Sequence, residues 1–139
     1  MNKSEIRKKI LKIRKQKKLN NKNINFQEIL KILKKSKTIG RIVGGYYPYN
    51  YEVDPLKILE KFEKKNYLIS LPKIEKNSHM NFFRWSTKEP LAINKYGIPE
   101  PTSNIIIHPN ILLVPLVLST IILTELVMVG DFMIGILKN

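Results

Sequence analysis

The seven residues Ile111-Leu112-Leu113-Val114-Pro115-Leu116-Val117 include no polar side chain. A strand with one wet face alternates apolar and polar residues, because its two faces meet different surroundings. A run that is apolar at every position has to be covered on both sides, as a parallel strand inside a helix-flanked sheet is. The chain offers neighbours for such a strand. Ile39 to Tyr47 is rich in β-branched and aromatic residues and runs to Pro48, Tyr67 to Leu71 is a short apolar run before Pro72, and Met80 to Trp85 is a further candidate.

Helical spacing appears between these runs. Ile6, Ile10, Leu11 and Ile13 predict a helix over 3–19 with charge on its other face. Phe26, Ile29, Leu30, Ile32 and Leu33 predict a second, with Gly40 as its stop signal. Asp54 is placed to cap a third helix, with Pro55 at its first position and Leu56, Leu59 and Phe62 on one face. Residues 86–104, rich in Pro, Gly, Thr, Ser and Asn, read as a loop. Strands alternating with helices predict an α/β fold with an open, mostly parallel sheet flanked by helices. At 139 residues the chain has the length of one domain.

Charge points elsewhere at first. The formal net charge is +14, which suggests a nucleic-acid partner. Residues 1–37, however, hold fourteen Lys or Arg against Glu5 and Glu28, while the remaining 102 residues carry eleven basic and nine acidic groups. One segment is basic, not the domain. The chain also has 21 Lys to 4 Arg, with 21 Ile and 13 Asn. These are the residues of A- and T-rich codons, so much of the lysine reflects base composition and not phosphate contacts. There is no cysteine, which excludes disulfides, zinc–thiolate sites and thiol nucleophiles. The charged N-terminal stretch has no apolar core of a secretory signal.

Four stretches, in order, carry a family resemblance. The first is Lys3-Ser4-Glu5-Ile6-Arg7, with Arg14 further along; Lys3 and Arg7 are four apart and share a helix face. The second is Tyr46-Tyr47-Pro48-Tyr49-Asn50-Tyr51-Glu52-Val53-Asp54, and the third is Tyr67-Leu68-Ile69-Ser70-Leu71-Pro72. The fourth joins Phe82-Phe83-Arg84-Trp85 to Tyr96-Gly97-Ile98-Pro99-Glu100-Pro101, before Leu112 to Val117. In these stretches the chain resembles the 5-formyltetrahydrofolate cyclo-ligase (5,10-methenyltetrahydrofolate synthetase) family. The resemblance implies an ATP- and Mg²⁺-dependent ligase that closes 5-formyltetrahydrofolate to 5,10-methenyltetrahydrofolate, releasing ADP and phosphate. It implies that Lys3 and Arg7 hold ATP phosphates and that Tyr47 and Glu52 contact the folate. An ammonium–guanidinium pair suits a triphosphate, a ring can stack on a pterin, and a carboxylate can accept its N–H groups. It further implies a cytoplasmic monomer acting on a small molecule, without nucleic acid or membrane. No catalytic side chain is assigned. His79 and His108 lack partners at metal-ligand spacing and read as surface residues, so no metal ligands are assigned either.

The resemblance covers residues 1–117 and breaks over 118–139. There the family carries an acidic residue and a glycine-rich loop, R-x-G-x-G-G-G-x-Y-D-R, whose backbone N–H groups cradle phosphate. This chain has an apolar tail with only Gly130 and Gly135. Back-translated with A- and T-leaning codons and read one base early, Glu125 to Leu137 becomes R-I-G-Y-G-G-G-F-Y-D-R-Y-I. Met128-Val129 yields a glycine codon in that frame whatever codons are chosen, and Met133-Ile134 yields aspartate. The tail therefore reads as out of frame with the family, from a shift near Val117 to Ser119, and is expected to pack poorly. Two alternatives are a basic nucleic-acid-binding module and a small membrane-anchored protein whose Ile111–Gly130 segment spans the bilayer. Pro115, Glu125 and Asp131 count against the second.

Overall fold

The protein is seen in a computed structural model that describes residues 2–17, 26–48, 54–115, 125–129 and 132–136. Helix α1, Lys3–Lys17, opens on a reciprocal cap. The Asn2 side-chain oxygen accepts from the Glu5 N–H at 2.8 Å, and the Glu5 carboxylate accepts from the Asn2 N–H at 3.1 Å. Two of the helix's unpaired N-terminal donors are thereby satisfied.

Helix α2, Phe26–Lys35, buries Phe26, Ile29 and Leu33. It stops earlier than the Gly40 signal suggests. Lys37 takes the left-handed conformation, φ 55°, and the Thr38 N–H donates to the Leu33 carbonyl at 3.1 Å. Closing the helix this way needs one left-handed residue, and lysine occupies it at modest cost. Gly40 is small for another reason: a Cβ there would run into the side-chain amide of Asn110.

Strand β1, Ile42–Gly44, is shorter than the apolar run around it. Helix α3, Leu56–Lys64, follows. Asp54 caps it as expected, its Oδ1 accepting from the Leu56 N–H at 2.8 Å. The Pro55 carbonyl accepts from the Leu59 N–H at 2.9 Å, so Pro55 lies in the first turn, where its missing N–H costs nothing. Ile58, Leu59 and Phe62 are buried. Full burial of a side chain such as Phe62 is worth about 1.5–3 kcal/mol over leaving it in water.

Strand β2, Leu68–Ile74, runs through Pro72 instead of ending there. The amides of Leu68 and Ser70 face β1, since Leu68 donates to the Arg41 carbonyl and the Ser70 carbonyl accepts from Gly45. By alternation the Pro72 nitrogen faces the same side, where β1 has already ended. No ladder bond is lost, so the proline is tolerated. Strand β3, Met80–Trp85, pairs antiparallel with β2 from Ile74↔Met80 to Ile69↔Trp85.

Residues 86–104 are more ordered than a loop. Strands β4, Leu91–Ile93, and β5, Pro99–Pro101, form a hairpin. Asn94 organises its turn: its Oδ1 accepts from Tyr96 at 2.8 Å and Ile98 at 3.0 Å, and Gly97 takes φ 77°. The Ile98 carbonyl accepts from Asn94, so Ile98 and Glu100 face β4 and both proline nitrogens face away. Prolines two apart thus fit a two-stranded ladder.

Strand β6, Ile111–Pro115, is the buried parallel strand its apolar run demands, with Ile111 to Val114 all buried. Strands β7, Glu125–Val129, and β8, Phe132–Ile136, complete the main sheet in the order β3-β2-β1-β6-β8-β7. Its centre, β2-β1-β6, is parallel, and antiparallel strands flank it on each side. This is an open α/β sheet, as expected. The tail joins it more closely than an out-of-frame segment is expected to. β8 pairs with β6 from Ile111↔Ile136 to Pro115↔Phe132, and Ile134 and Ile136 are buried. A β-branched residue at every second position packs on a pleated face whatever its coding history.

The ladder registers place Val43, Ile69, Leu71, Trp85, Ile111, Leu113, Ile134 and Ile136 on one face of the sheet. That face joins Ile29 and Leu33 of α2 and Ile58, Leu59 and Phe62 of α3 in one core. Phe26 meets Phe62 edge-on at 4.9 Å, tying the two helices together. Among the described residues no helix is long and apolar enough to cross a membrane. Within Ile111–Gly130, residues 111–115 and 125–129 are strands.

Candidate functional site

In an open α/β sheet, ligands bind beyond the carboxyl ends of the parallel strands, where the strand order reverses. Here the chain passes from β1 to β2 on one side and later returns to β6 on the other. The reversal point therefore lies at the ends of β1 and β6. Two glycines stand at the end of β1. A Cβ on Gly44 would sit 2.6 Å from Leu112 Cδ2 and 2.9 Å from Phe82 Cε1. A Cβ on Gly45 would sit 2.7 and 2.8 Å from the two Leu59 methyls, on α3. Neither position tolerates a side chain without displacement of a neighbour. The Gly45 N–H donates to the Ser70 carbonyl at 2.9 Å, and the buried Ser70 hydroxyl donates to the Val43 carbonyl at 3.0 Å. The backbone is thus fixed up to the point where Tyr46 turns into the core and Tyr47 and Pro48, both half-buried, leave the sheet.

Tyr47 accordingly stands at the reversal point. Glu52 lies outside the described residues, as do Tyr49, Asn50, Tyr51 and Val53. The chain is described again at Asp54, which caps α3. Lys3 and Arg7 lie on successive turns of α1 with exposed side chains, and among the described residues no hydrogen bond or ion pair joins them to Tyr47. His79 and His108 are exposed.

The fit to a nucleotide and its metal is uneven. Lys3 and Arg7 offer two accessible cations for phosphate. Among the described residues no group of three or more His, Asp or Glu could hold a metal ion. Gly130 lies outside the described residues, and Gly135 is paired in β8 with Leu112 and Leu126, an extended ladder position and not a phosphate-binding turn.

No family model matches the chain, and no curated protein does. Among solved structures it is similar to the NMR structure of Aquifex aeolicus 5,10-methenyltetrahydrofolate synthetase, at 27% identity and a TM-score of 0.50. The chain resembles the cyclo-ligase family in structure as in sequence. The similarity covers 79% of this chain and 57% of the Aquifex chain, so little more than half of that cyclo-ligase is matched.

Sequence reasoning named Tyr47 as a candidate but passed over the glycine pair before it. The signal was present: Gly44-Gly45 next to a β-branched run marks a close backbone approach. The cap between Asn2 and Glu5 was also readable from their spacing.

Proposed function

We propose that this chain is a cyclo-ligase by descent, binding 5-formyltetrahydrofolate at the end of β1 and ATP, with Mg²⁺ as the nucleotide's counter-ion, through α1. The observation that carries the reading is the likeness to the Aquifex synthetase, with Tyr47 just beyond the end of β1, at the reversal point of this chain's sheet. In the proposed reaction the formyl oxygen takes the γ-phosphoryl group and ADP leaves. The N10 nitrogen then attacks the activated carbon, loses its proton, and phosphate departs with the former formyl oxygen. The protein's part is to position the reactants and neutralise charge. Tyr47 would stack on the pterin, Glu52 would accept its N–H groups, and Lys3 and Arg7 would hold phosphate oxygens.

Activity in this chain is proposed to be weak. Residues 118–139 do not spell the glycine-rich loop, which their A- and T-leaning back-translation spells when read one base early. Titrating the purified chain with 5-formyltetrahydrofolate by calorimetry tests the binding half of the reading. Saturable binding, lost in Tyr47→Ala, supports it; absence of binding by both this chain and its frame-restored form rejects it.

A further inference from the structure

We propose that Leu59 is a positioning residue that sets where Tyr47 stands, an inference resting on the reading of Tyr47 as a ligand contact. The chain leaves the sheet after Gly45, whose N–H still donates to the Ser70 carbonyl. That exit is fastened to α3 at the side chain of Leu59. At the exit from the sheet, the Leu59 methyls lie 2.7 and 2.8 Å from where a Gly45 Cβ would be, against the bare backbone of β1's end.

Leu59 has little freedom to yield. It is fully buried, as are Pro55 and Phe62, in a core that also includes Tyr46 and Ile58. Interiors packed this densely transmit a displacement rather than absorb it. The length of the side chain at 59 therefore sets how closely the end of β1 approaches α3. Tyr47, two residues beyond Gly45, follows that approach. Gly45 is the complementary half of the contact: any side chain there pushes the strand exit away from the helix.

Paired substitutions in the full 139-residue chain test this, with calorimetric titration of 5-formyltetrahydrofolate and, separately, of ATP. Gly45→Ala is expected to weaken folate binding on the order of tenfold, since small misplacements of a contact carry large penalties, and to leave ATP binding unchanged. Adding Leu59→Val, which removes the outer methyl carbons that a Gly45 Cβ meets, should return most of the loss. Ile136→Val, paired with Ile111 at the start of β6 and away from the strand exit, serves as a control that lowers stability without moving folate affinity. Additive losses in the double variant, or an equal folate loss in Ile136→Val, overturn the proposal. Loss in Tyr47→Ala with none in Gly45→Ala overturns it alone, whereas unchanged binding in Tyr47→Ala overturns both it and the reading of Tyr47. Should Gly45→Ala not fold, Leu59→Val by itself decides: it is expected to lower folate affinity and spare ATP, and equal affinity for folate rejects the role.

Discussion

Asn110 and Ile42 bond each other twice across the chain: Asn110 Oδ1 accepts from the Ile42 N–H at 3.2 Å, and the Asn110 N–H donates to the Ile42 carbonyl at 2.9 Å. The pair joins the start of β1 to the residue before β6, fixing the register of the two parallel strands whose far ends form the candidate site. Asn110→Ala leaves the Ile42 N–H without its side-chain acceptor, at a cost of about 1–3 kcal/mol. It also opens a gap beside Gly40, whose Cα hydrogens lie against the Asn110 amide. A lower urea midpoint with an unchanged slope is expected, and an unchanged midpoint would show that the side-chain bond contributes nothing.

Gly97 separates backbone strain from crowding. It has φ 77°, and a Cβ built there meets nothing within 4 Å. Gly97→Ala should therefore destabilise through its dihedral angle alone, by roughly 1–2 kcal/mol. Gly97→Asn should lose less, because asparagine visits the left-handed region more readily. Equal losses in the two variants, measured by thermal melting, would point to something other than the dihedral angle.

Lys3 and Arg7 are expected to serve the nucleotide and not the folate. Replacing both with Gln removes two charges from α1 while keeping good helix formers in place. ATP affinity should fall and 5-formyltetrahydrofolate affinity should hold. The opposite pattern is expected of Glu52→Ala, with about 1–3 kcal/mol lost from folate binding if a hydrogen bond to a charged group is removed. If both variants weaken both ligands equally, α1 and the segment after β1 act on stability and not on separate ligands.

What the sequence made legible follows from how local each cause is. Met80–Trp85 was readable in full, and Ile111–Val114 as doubly covered, because their own residue types decide the matter. Asp54 was readable as a cap because its partner is two residues away. Pro72 and the pair Pro99 and Pro101 misled, since whether a proline breaks a strand depends on which side its nitrogen faces. That depends on where the neighbouring strand ends. Gly40 misled because its smallness serves Asn110, seventy residues on. At the candidate site, the resemblance singled out Tyr47 as an expectation, while the contact between Gly45 and Leu59 exists only once α3 is laid on the sheet.

The last prediction concerns turnover. In the proposed function Lys3 and Arg7 attract ATP, but the chain has no run of glycines to hold the phosphates in line. Gly130 and Gly135 are isolated, with Met128, Val129, Met133 and Ile134 around them. Bulky residues resist the positive φ angles and the close backbone approach that a phosphate-binding turn uses. Gly135 is already committed to a strand, opposite Leu112 on one side and Leu126 on the other. A segment zipped into the sheet in this way cannot wrap a phosphate without giving up ladder bonds to β6. Orientation of reacting groups supplies up to about 7–11 kcal/mol of a barrier in favourable cases, so losing it can remove many orders of magnitude in rate. The 139-residue chain should therefore bind folate yet form methenyltetrahydrofolate very slowly. A version carrying R-I-G-Y-G-G-G-F-Y-D-R from the neighbouring frame should regain ATP-dependent formation, followed by absorbance. Equal turnover by the two forms would mean that the glycine loop is dispensable and that the strand pairing of β8 with β6 belongs to a working enzyme.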